Sequence, residues 1–308
     1  MPFIPTKTKE IVKIGGHEVV VSNIHKQLWP EGYTKGDMIK FYADIFPIAA
    51  PHLAHRPLVV TRWPNGIEGK FFYQKNAPEG TPDWVNTFPI YSEASERTIH
   101  FVLCDSLATV VWLANLACIE FHPWMSRTDK LNHPDFIVFD LDPSEGVPYE
   151  DVCDVADVVK EVLSHLKLRF YVKTSGATGL HIYVPVMRRY TYEDVRDFAG
   201  LVAELVARLI PNKATIIRQV NKRGPRVYVD YLQNIQGKTV CSPYSLRPVP
   251  GAPVSTPLHW EEIRQYRPAD FNIETVPPRL KTLGDLFAPV NSDHQNINQA
   301  WDRLKKGF

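Results

Sequence analysis

The sequence has few cysteines, and none of them is paired along the chain. Its 308 residues include four, Cys104, Cys118, Cys153 and Cys241, and no two form a C-x-x-C motif. This spacing argues against a zinc ribbon and against a disulfide framework, and it is typical of a reducing compartment. We therefore expect a cytoplasmic protein.

Long hydrophobic runs and a strong net charge are also lacking. No apolar stretch reaches the roughly 20 residues of a membrane span, and the N-terminal MPFIPTKTKE has no signal-peptide core. We expect no association with membranes. Because 35 lysines and arginines balance 34 aspartates and glutamates, any surface that binds nucleic acid must be a local patch. The composition is otherwise that of a globular protein.

The clearest indication of chemistry is the stretch DFIVFDLDPSEG, from Asp135 to Gly146. Its β-branched and aromatic residues predict a buried strand, and side-chain alternation places Asp140 and Asp142 on one face. Two close carboxylates repel each other and are costly to bury. A divalent cation such as Mg²⁺ or Mn²⁺, which takes hard oxygen ligands, relieves both costs. The alternative is a pair of solvated aspartates at a strand end.

Further candidate residues follow this motif. The strands RFYVKT and LHIYVPV are joined by SGATG, in which Gly176 and Gly179 allow successive N–H groups to converge on an anion. Ser175 adds a hydroxyl, and His181 lies on the returning strand. An ordinary hairpin turn is the alternative. In the strand RVYVDYLQN, Asp230 supplies a third carboxylate at a strand end.

The N-terminal part contains a candidate anion site. VKIGGHEVVVS predicts a hairpin, and Thr34 with Asp37 predicts a capping-box start of a helix that runs to about Phe46. Lys26 and Lys35 flank this start, where free N–H groups and the helix dipole also favour anions. The alternative is that both are ordinary surface lysines.

Two adjacent aromatic residues suggest a surface for unstacked bases. In GKFFYQKN, Phe71 and Phe72 must face opposite sides of a strand, so at least one of them leaves the core. One buried and one partly exposed phenylalanine is the alternative. Residues 106–120 predict an apolar helix, followed by a loop that carries His122, for which a structural role is the default.

The order of elements predicts the fold class. The pattern β-α-β-β-α-β over residues 135–232 is a split βαβ arrangement, which forms a sheet with helices on one face. We therefore expect an α+β fold with both aspartate strands in one sheet. We expect a single unit over residues 1–308, in three portions: an N-terminal α/β portion (1–130), the catalytic sheet (131–250) and a C-terminal cover (251–308).

Three aspartates on adjacent strands fit two-metal phosphoryl transfer. In that chemistry two ions clamp the attacking and leaving oxygens of an in-line displacement, and no nucleophilic side chain is required. Lys238 and Arg247, in GKTVCSPYSLRP, are suited to neutralise the charge on a leaving pyrophosphate. The residues thus indicate a nucleotidyl transfer.

The motifs resemble those of a known family. VFDLDP, SGATGLHIYVPV and VYVDYLQN…KTVCSPYSLRP are similar, in this order, to three motifs of the polymerase domain of bacterial ligase D and its stand-alone relatives. These belong to the archaeo-eukaryotic primase superfamily and act in non-homologous end joining. The resemblance implies an RRM-like primase-polymerase sheet and a template-directed DNA/RNA polymerase that fills gaps at DNA breaks. It also implies a preference for ribonucleotides.

The resemblance assigns roles to the candidate residues. It implies metal binding by Asp140, Asp142 and Asp230; nucleotide binding by Ser175, His181, His122, Arg223, Lys238 and Arg247; 5′-phosphate binding by Lys26 and Lys35; and template stacking by Phe71 or Phe72. One departure is Thr178, where relatives can carry a lysine, so that a triphosphate contact is lost or supplied elsewhere. Because no ligase or nuclease module is attached, we expect a free-standing polymerase with a separate DNA ligase and a Ku-like end-binding protein as partners.

Other functions fit parts of the pattern. FDLDPS matches the first motif of haloacid-dehalogenase-type phosphatases, in which an aspartate is a covalent nucleophile, but that motif usually opens its domain. A non-catalytic protein that recognises 5′-phosphorylated ends would keep the lysines and phenylalanines without needing three aspartates. A primase that starts chains de novo often carries a zinc or iron–sulfur element, and the scattered cysteines give no sign of one.

Overall fold

The computed structural model describes residues 9–306 and divides the chain into two compact units. Of the described residues, unit 1 comprises 9–124, Thr239–Ser255 and Ala269–Asp285, and unit 2 comprises Met125–Lys238, Thr256–Pro268 and 286–306. Most of the stretch MPFIPTKTKE, which we expect to lack a signal peptide, lies outside the described residues. Across residues 9–306, no helix has the length and apolar character of a membrane span.

The strands of the described chain form three sheets, and the helices lie between them in sequence or follow them. The strands are β1 (Lys9–Ile14), β2 (His17–Ser22), β3 (Pro57–Arg62), β4 (Phe72–Gln74), β5 (Thr87–Ser92), β6 (Arg97–Leu103), β7 (Cys118–Pro123), β8 (Phe136–Pro143), β9 (Tyr171–Thr174), β10 (Leu180–Pro185), β11 (Ala214–Thr215), β12 (Val227–Asp230) and β13 (Pro257–Leu258). The helices are α1 (Lys35–Leu53), α2 (Leu107–Asn115), α3 (Tyr149–His165), α4 (Tyr192–Leu209), α5 (Val220–Arg223), α6 (Val276–Leu283) and α7 (Asn298–Lys306).

Unit 1 contains the predicted hairpin and a five-stranded antiparallel sheet. Strands β1 and β2 pair around Gly15 and Gly16, whose φ angles of 56° and 85° suit the turn. The sheet has the order β4-β3-β6-β5, and β7 also pairs with β3. Helix α1 begins at the predicted capping box, but it continues past Phe46 to Leu53 and includes Pro47. Proline has no N–H group, so one backbone hydrogen bond of the helix is missing at this position. The packing of the buried face keeps the helix continuous.

The predicted helix over residues 106–120 is wrong in its last part. Helix α2 ends at Asn115, and Ala117 takes a left-handed conformation with φ of 59°, which breaks the helix. The following residues form β7, which pairs with β3. His122 therefore lies on a strand and not on a loop.

Unit 2 contains the predicted split βαβ sheet, so the expected α+β class is confirmed. Its six strands have the order β11-β12-β8-β10-β9-β13, and β8 is antiparallel to both of its neighbours. Helices α3 and α4 contact β8 and bury their apolar faces. Strand β8 thus lies at the centre of the sheet, with the two aspartates at its end.

The compact units divide the chain differently from the three portions that we predicted. Residues 239–255 and 269–285 belong to unit 1, although they follow the catalytic sheet in sequence. The predicted cover over 251–308 is likewise shared between both units. Composition along the chain cannot show that a late segment joins an early unit, because that depends on long-range contacts.

Candidate active site

A row of polar residues crosses the sheet of unit 2. Asp140 on β8 lies opposite Asp230 on β12 and opposite His181 on β10. Asp142 follows two residues later and therefore projects from the same face as Asp140. The predicted adjacency of the three aspartates is confirmed, and we call Asp140, Asp142, Asp230 and His181 the aspartate row.

Asp140 and Asp230 are held by specific contacts. The Nε2 atom of His181, a residue only 4% exposed, lies 3.3 Å from Oδ1 of Asp140. Asp230 accepts hydrogen bonds from the Tyr228 hydroxyl at 3.1 Å, the Leu232 N–H at 2.9 Å and the Gln233 side-chain amide at 3.1 Å. Both carboxylates are thus fixed in orientation before any ligand binds.

Asp142 is more exposed and faces an arginine. Nη1 of Arg223 donates to Oδ2 of Asp142 at 3.1 Å, and the guanidinium lies over the Tyr228 ring, 4.0 Å from its centre. Its other nitrogens donate to the carbonyls of Ile217 and Arg218 at 3.1 and 3.0 Å. Five donors in a planar fork allow one arginine to make all these contacts.

The electrostatics of the aspartate row favour a bound cation. Burial raises the pKa of Asp142, and repulsion by Asp140 raises it further, although Arg223 opposes both effects. Burial and the charge of Asp140 likewise raise the pKa of Asp230. Negative charge in this row is therefore only partly compensated by the protein.

The residues of the row fit a hard divalent cation. Within the part of the chain that the structure describes, no three His, Cys, Asp or Glu side chains form a ready-made metal-ligand group. Mg²⁺ and similar ions often use only one or two carboxylates and complete their shell with water and substrate phosphates. Partly compensated carboxylates that point from one strand face meet this need.

The SGATG turn packs directly against the aspartate strand. A Cβ atom on Gly179 would lie 2.0 Å from the carbonyl oxygen of Leu141, between the two aspartates of β8, so only glycine fits. The Ser175 hydroxyl accepts hydrogen bonds from the Ala177 and Gly179 N–H groups at 3.1 and 3.0 Å. Two amides of the predicted anion site therefore bind a side chain of the same turn.

In unit 1, His122 and Arg247 both lie next to the carboxylate of Glu120, a residue that was not among those predicted from the sequence. Glu120, only 6% exposed, precedes His122 by two positions on β7 and shares its face. Its Oε1 lies 2.8 Å from Nε of Arg247, its Oε2 lies 3.6 Å from Nε2 of His122, and the Thr61 hydroxyl donates to Oε2. We call these four residues the Glu120 cluster.

The charge of Glu120 is fully compensated within the cluster. Burial alone would raise the pKa of Glu120, but the adjacent His122, together with Arg247 and Thr61, lowers it to about 2. The alternation of IEFHPW could have revealed this carboxylate, had the segment been recognised as a strand.

Lys26 and Lys35 lie close together at the start of α1. Lys35 is 5% exposed, and its Nζ donates to the backbone and side-chain oxygens of Asn115, both at 3.0 Å. The Lys26 ammonium donates to Asn65 at 2.9 Å. Burial and the nearby charge of Lys26 lower the pKa of Lys35 to about 8. The two ammonium groups repel each other, and an anion bound at this helix terminus would relieve that repulsion.

Both candidate stacking residues lie on the surface. Phe71 is 54% exposed and Phe72 is 58% exposed, so neither belongs to the core. The Phe71 ring stacks on Trp63 with centres 4.7 Å apart and planes at 21°. An aromatic pair supported in this way offers a flat face to a base.

The predicted site residues are thus divided between the units. Unit 2 contains Asp140, Asp142, Asp230, Ser175, His181, Arg223 and the exposed Lys238, whereas unit 1 contains His122, Arg247, Lys26, Lys35, Phe71 and Phe72.

Comparison with known proteins identifies the family. Residues 34–287 match the family described as the LigD primase-polymerase domain. The bifunctional non-homologous end joining protein LigD of Bacillus subtilis is 35% identical over 278 residues, which cover 89% of this chain and 44% of the relative. The multifunctional LigD of Pseudomonas aeruginosa is 31% identical over 274 residues, which cover 88% of this chain and 32% of the relative. The chain therefore spans less than half of these relatives.

A solved structure agrees with this assignment. The polymerase domain of Mycobacterium tuberculosis ligase D, determined in complex with DNA, is 29% identical and superposes with a TM-score of 0.83. The match covers 90% of this chain and 99% of that domain. The chain belongs to the LigD primase-polymerase domain family, whose members are metal-dependent nucleotidyltransferases of non-homologous end joining.

Proposed function

We propose that this chain extends primer 3′ ends on a template and fills gaps at DNA breaks. The observation that carries the proposal is the aspartate row, in which Asp140 lies between Asp230 and His181 and beside Asp142. This row lies in a sheet of the same fold as a ligase D polymerase domain that was solved with DNA. The charge pattern, the fold and the family support the same reaction.

Asp140, Asp142 and Asp230 would hold the metal ions, Mn²⁺ or Mg²⁺. When bound, such ions lower the pKa of an attacking hydroxyl and neutralise the phosphates of the nucleotide. His181 keeps the Asp140 carboxylate oriented, since the two are 3.3 Å apart. The three donors to Asp230 fix the third carboxylate on the neighbouring strand.

The incoming nucleoside triphosphate would be bound by cationic and polar side chains. From the family resemblance, we propose that His122, Arg247, Arg223 and Lys238 supply positive or hydrogen-bonding groups for phosphates. The Ser175 hydroxyl orders the SGATG turn against β8 and can turn its donor toward the nucleotide. From the family we also propose a preference for ribonucleotides.

The DNA would be recognised through a 5′-phosphate and an unstacked template base. Lys26, Lys35 and the N-terminus of α1 form the proposed phosphate site, since two close ammonium groups need an anion. Phe71 and Phe72 would stack on the template. We further propose a DNA ligase and a Ku-like end-binding protein as partners, as the names of the relatives indicate a role in end joining.

Primer extension on a gapped duplex with a 5′-phosphate tests the proposal. Wild type and Asp142→Ala are compared with Mn²⁺ and with Mg²⁺, using ribonucleotides and deoxynucleotides separately. We expect extension by the wild type that disappears in the variant while DNA binding persists. No extension under any condition, with intact 5′-phosphate-dependent binding, would contradict the polymerase and indicate a protein that only recognises DNA ends.

A further inference from the structure

We propose that Glu120 is a positioning residue, which holds Arg247 and His122 in place for the incoming nucleotide. The inference rests on the proposed function, because it concerns the nucleotide-binding role of these two side chains. It assigns a role to a carboxylate of unit 1 that forms no part of the predicted site.

The geometry of the Arg247 contact supports positioning. Glu120 contacts Arg247 at Nε, which lies 2.8 Å from Oε1 of the carboxylate. A carboxylate at Nε restrains the guanidinium from one edge, whereas the end formed by its two terminal nitrogens is the part that can hold a phosphate. Planar terminal nitrogens are the groups that grip a phosphate in a bidentate manner.

Glu120 itself is rigidly placed. It lies in the middle of β7, directly opposite Thr61 on β3, and the Thr61 hydroxyl donates to its Oε2. His122, two residues later on the same strand, faces the same oxygen. A buried side chain held by a strand pair and a hydroxyl can fix its neighbours with little residual freedom.

The same hydroxyl connects the cluster to the proposed template surface. Nε1 of Trp63 donates to Oγ1 of Thr61 at 3.3 Å, and the Trp63 ring stacks on Phe71. One carboxylate is thus linked, through side chains of unit 1, both to the nucleotide residues and to a residue that would stack on the template.

A purely structural role explains the cluster less well. A buried ion pair adds little stability over well-packed apolar residues of the same size, because desolvation offsets the attraction. The cluster places a buried carboxylate, an arginine and a histidine where apolar side chains of the same size would fill the space in the sheet. Two of these three are residues proposed to bind nucleotide.

The test uses Glu120→Gln, which keeps the shape of the side chain and removes its charge. We measure KM and kcat for the nucleotide in primer extension, direct binding of a fluorescent nucleotide with Mn²⁺, and the Kd of gapped DNA. We expect KM and the nucleotide Kd to rise by about tenfold or more, the loss of one charge-assisted contact. We expect kcat and the DNA Kd to change by less than about threefold.

Asp285→Asn is the matched control. Asp285 is also a shielded carboxylate of unit 1, paired with His52 at 2.9 Å and accepting from the Tyr244 hydroxyl at 2.6 Å, and neither of these partners is a proposed site residue. It should lower thermal stability without raising the nucleotide KM. If thermal stability is the only property that Glu120→Gln lowers, and KM and the nucleotide Kd stay unchanged, the proposed positioning role is wrong.

Thr61→Val decides the question if Glu120→Gln does not fold. It removes only the hydroxyl, so the Arg247 pair persists, and we expect a smaller rise in nucleotide Kd of about threefold. An unchanged nucleotide Kd would overturn the proposal. Direct nucleotide binding separates the two hypotheses: a wild type that binds nucleotide without extending DNA contradicts the polymerase alone, whereas a wild type that binds no nucleotide overturns both.

Discussion

The aspartate row of unit 2 contains partly exposed carboxylates and the Glu120 cluster of unit 1 contains a buried one, and the two centres differ in how far their negative charge is compensated. In the row, burial and mutual repulsion raise the pKa values of Asp142 and Asp230. In the cluster, the attraction of His122 and Arg247 overcomes burial and lowers the pKa of Glu120 to about 2. One centre retains negative charge that needs a further cation, whereas the other is complete within the protein.

This difference assigns the two centres different tasks. A carboxylate whose charge is already compensated has little affinity for a metal ion, but it can hold cationic side chains in place. Carboxylates that repel each other on one rigid face gain stability when an ion binds. The substitutions below should therefore affect activity most in the row and stability most in the cluster.

The largest effect should follow from removing one member of the row. Asp142→Ala should reduce primer extension by about 10³-fold or more, since metal-assisted charge stabilisation is among the largest contributions to phosphoryl transfer. Single-nucleotide incorporation into a gapped duplex measures it, with circular dichroism as the control for folding. Residual activity above about a tenth of the wild-type rate would show that Asp142 is not needed for the reaction.

The second-largest effect should be a difference in stability between variants of the two centres. Glu120→Gln should lower the free energy of unfolding by up to about 3 kcal/mol, because it leaves the partly buried Arg247 without its charged partner. Asp142→Asn should lower it much less or not at all in metal-free buffer, because removal of the charge that Asp140 repels offsets the lost contact with Arg223. Urea unfolding of both variants measures the comparison. Equal losses of stability would contradict the proposed difference.

The pH dependence of the two substitutions should have opposite signs. The raised pKa values of Asp142 and Asp230 mean that protonation favours the folded state, so metal-free stability gains from these groups as pH falls through their folded pKa values. The lowered pKa of Glu120 stabilises the fold above the carboxyl's ordinary pKa, and this stabilisation is lost as pH falls toward about 2.

Thermal unfolding of the two variants from pH 7 down to pH 3 measures this dependence. Relative to the wild type, the loss of charge in Asp142→Asn should favour thermal stability, and the loss of charge in Glu120→Gln should lower it. Both effects should become smaller as the pH falls. If the effect of Asp142→Asn on stability did not change with pH, the loss of carboxylate charge could not be its cause.

The smallest effect should concern the lysine pair. Because the pKa of Lys35 is lowered to about 8, its charge is lost between pH 7 and pH 9. The preference for 5′-phosphorylated over unphosphorylated gapped DNA should fall by up to about tenfold over this range. Fluorescence anisotropy measures both affinities, and Lys40→Ala, an exposed lysine of the same helix paired with Asp44, is the matched control. A preference independent of pH would remove Lys35 from the phosphate site.

The local pattern of the sequence predicted much of the aspartate row. The alternation of FDLD placed Asp140 and Asp142 on one face, and the split βαβ order placed Asp230 on a neighbouring strand, as the register confirms. These features depend on short-range periodicity and on a common topology, and both can be recognised without coordinates.

The Glu120 cluster could not be predicted in the same way. The left-handed turn at Ala117 separates α2 from β7, and an apolar run gives no indication of that break. Without the strand, Glu120 falls within the predicted helix and His122 within the predicted loop. The pairing with Arg247 depends on a late segment that returns to unit 1. The placement of the exposed Phe71 ring likewise involves a residue outside its own motif, because it stacks on Trp63.

Binding of Mn²⁺ to the wild type, to Asp142→Ala and to Glu120→Gln tests the central claim most directly. Electron paramagnetic resonance of free Mn²⁺ during a protein titration measures it, with and without a nucleoside triphosphate. We predict that the wild type and Glu120→Gln bind Mn²⁺ equally in the absence of nucleotide and that Asp142→Ala binds it at least about tenfold more weakly. Equal binding by Asp142→Ala, or a loss of binding in Glu120→Gln alone, would contradict the account.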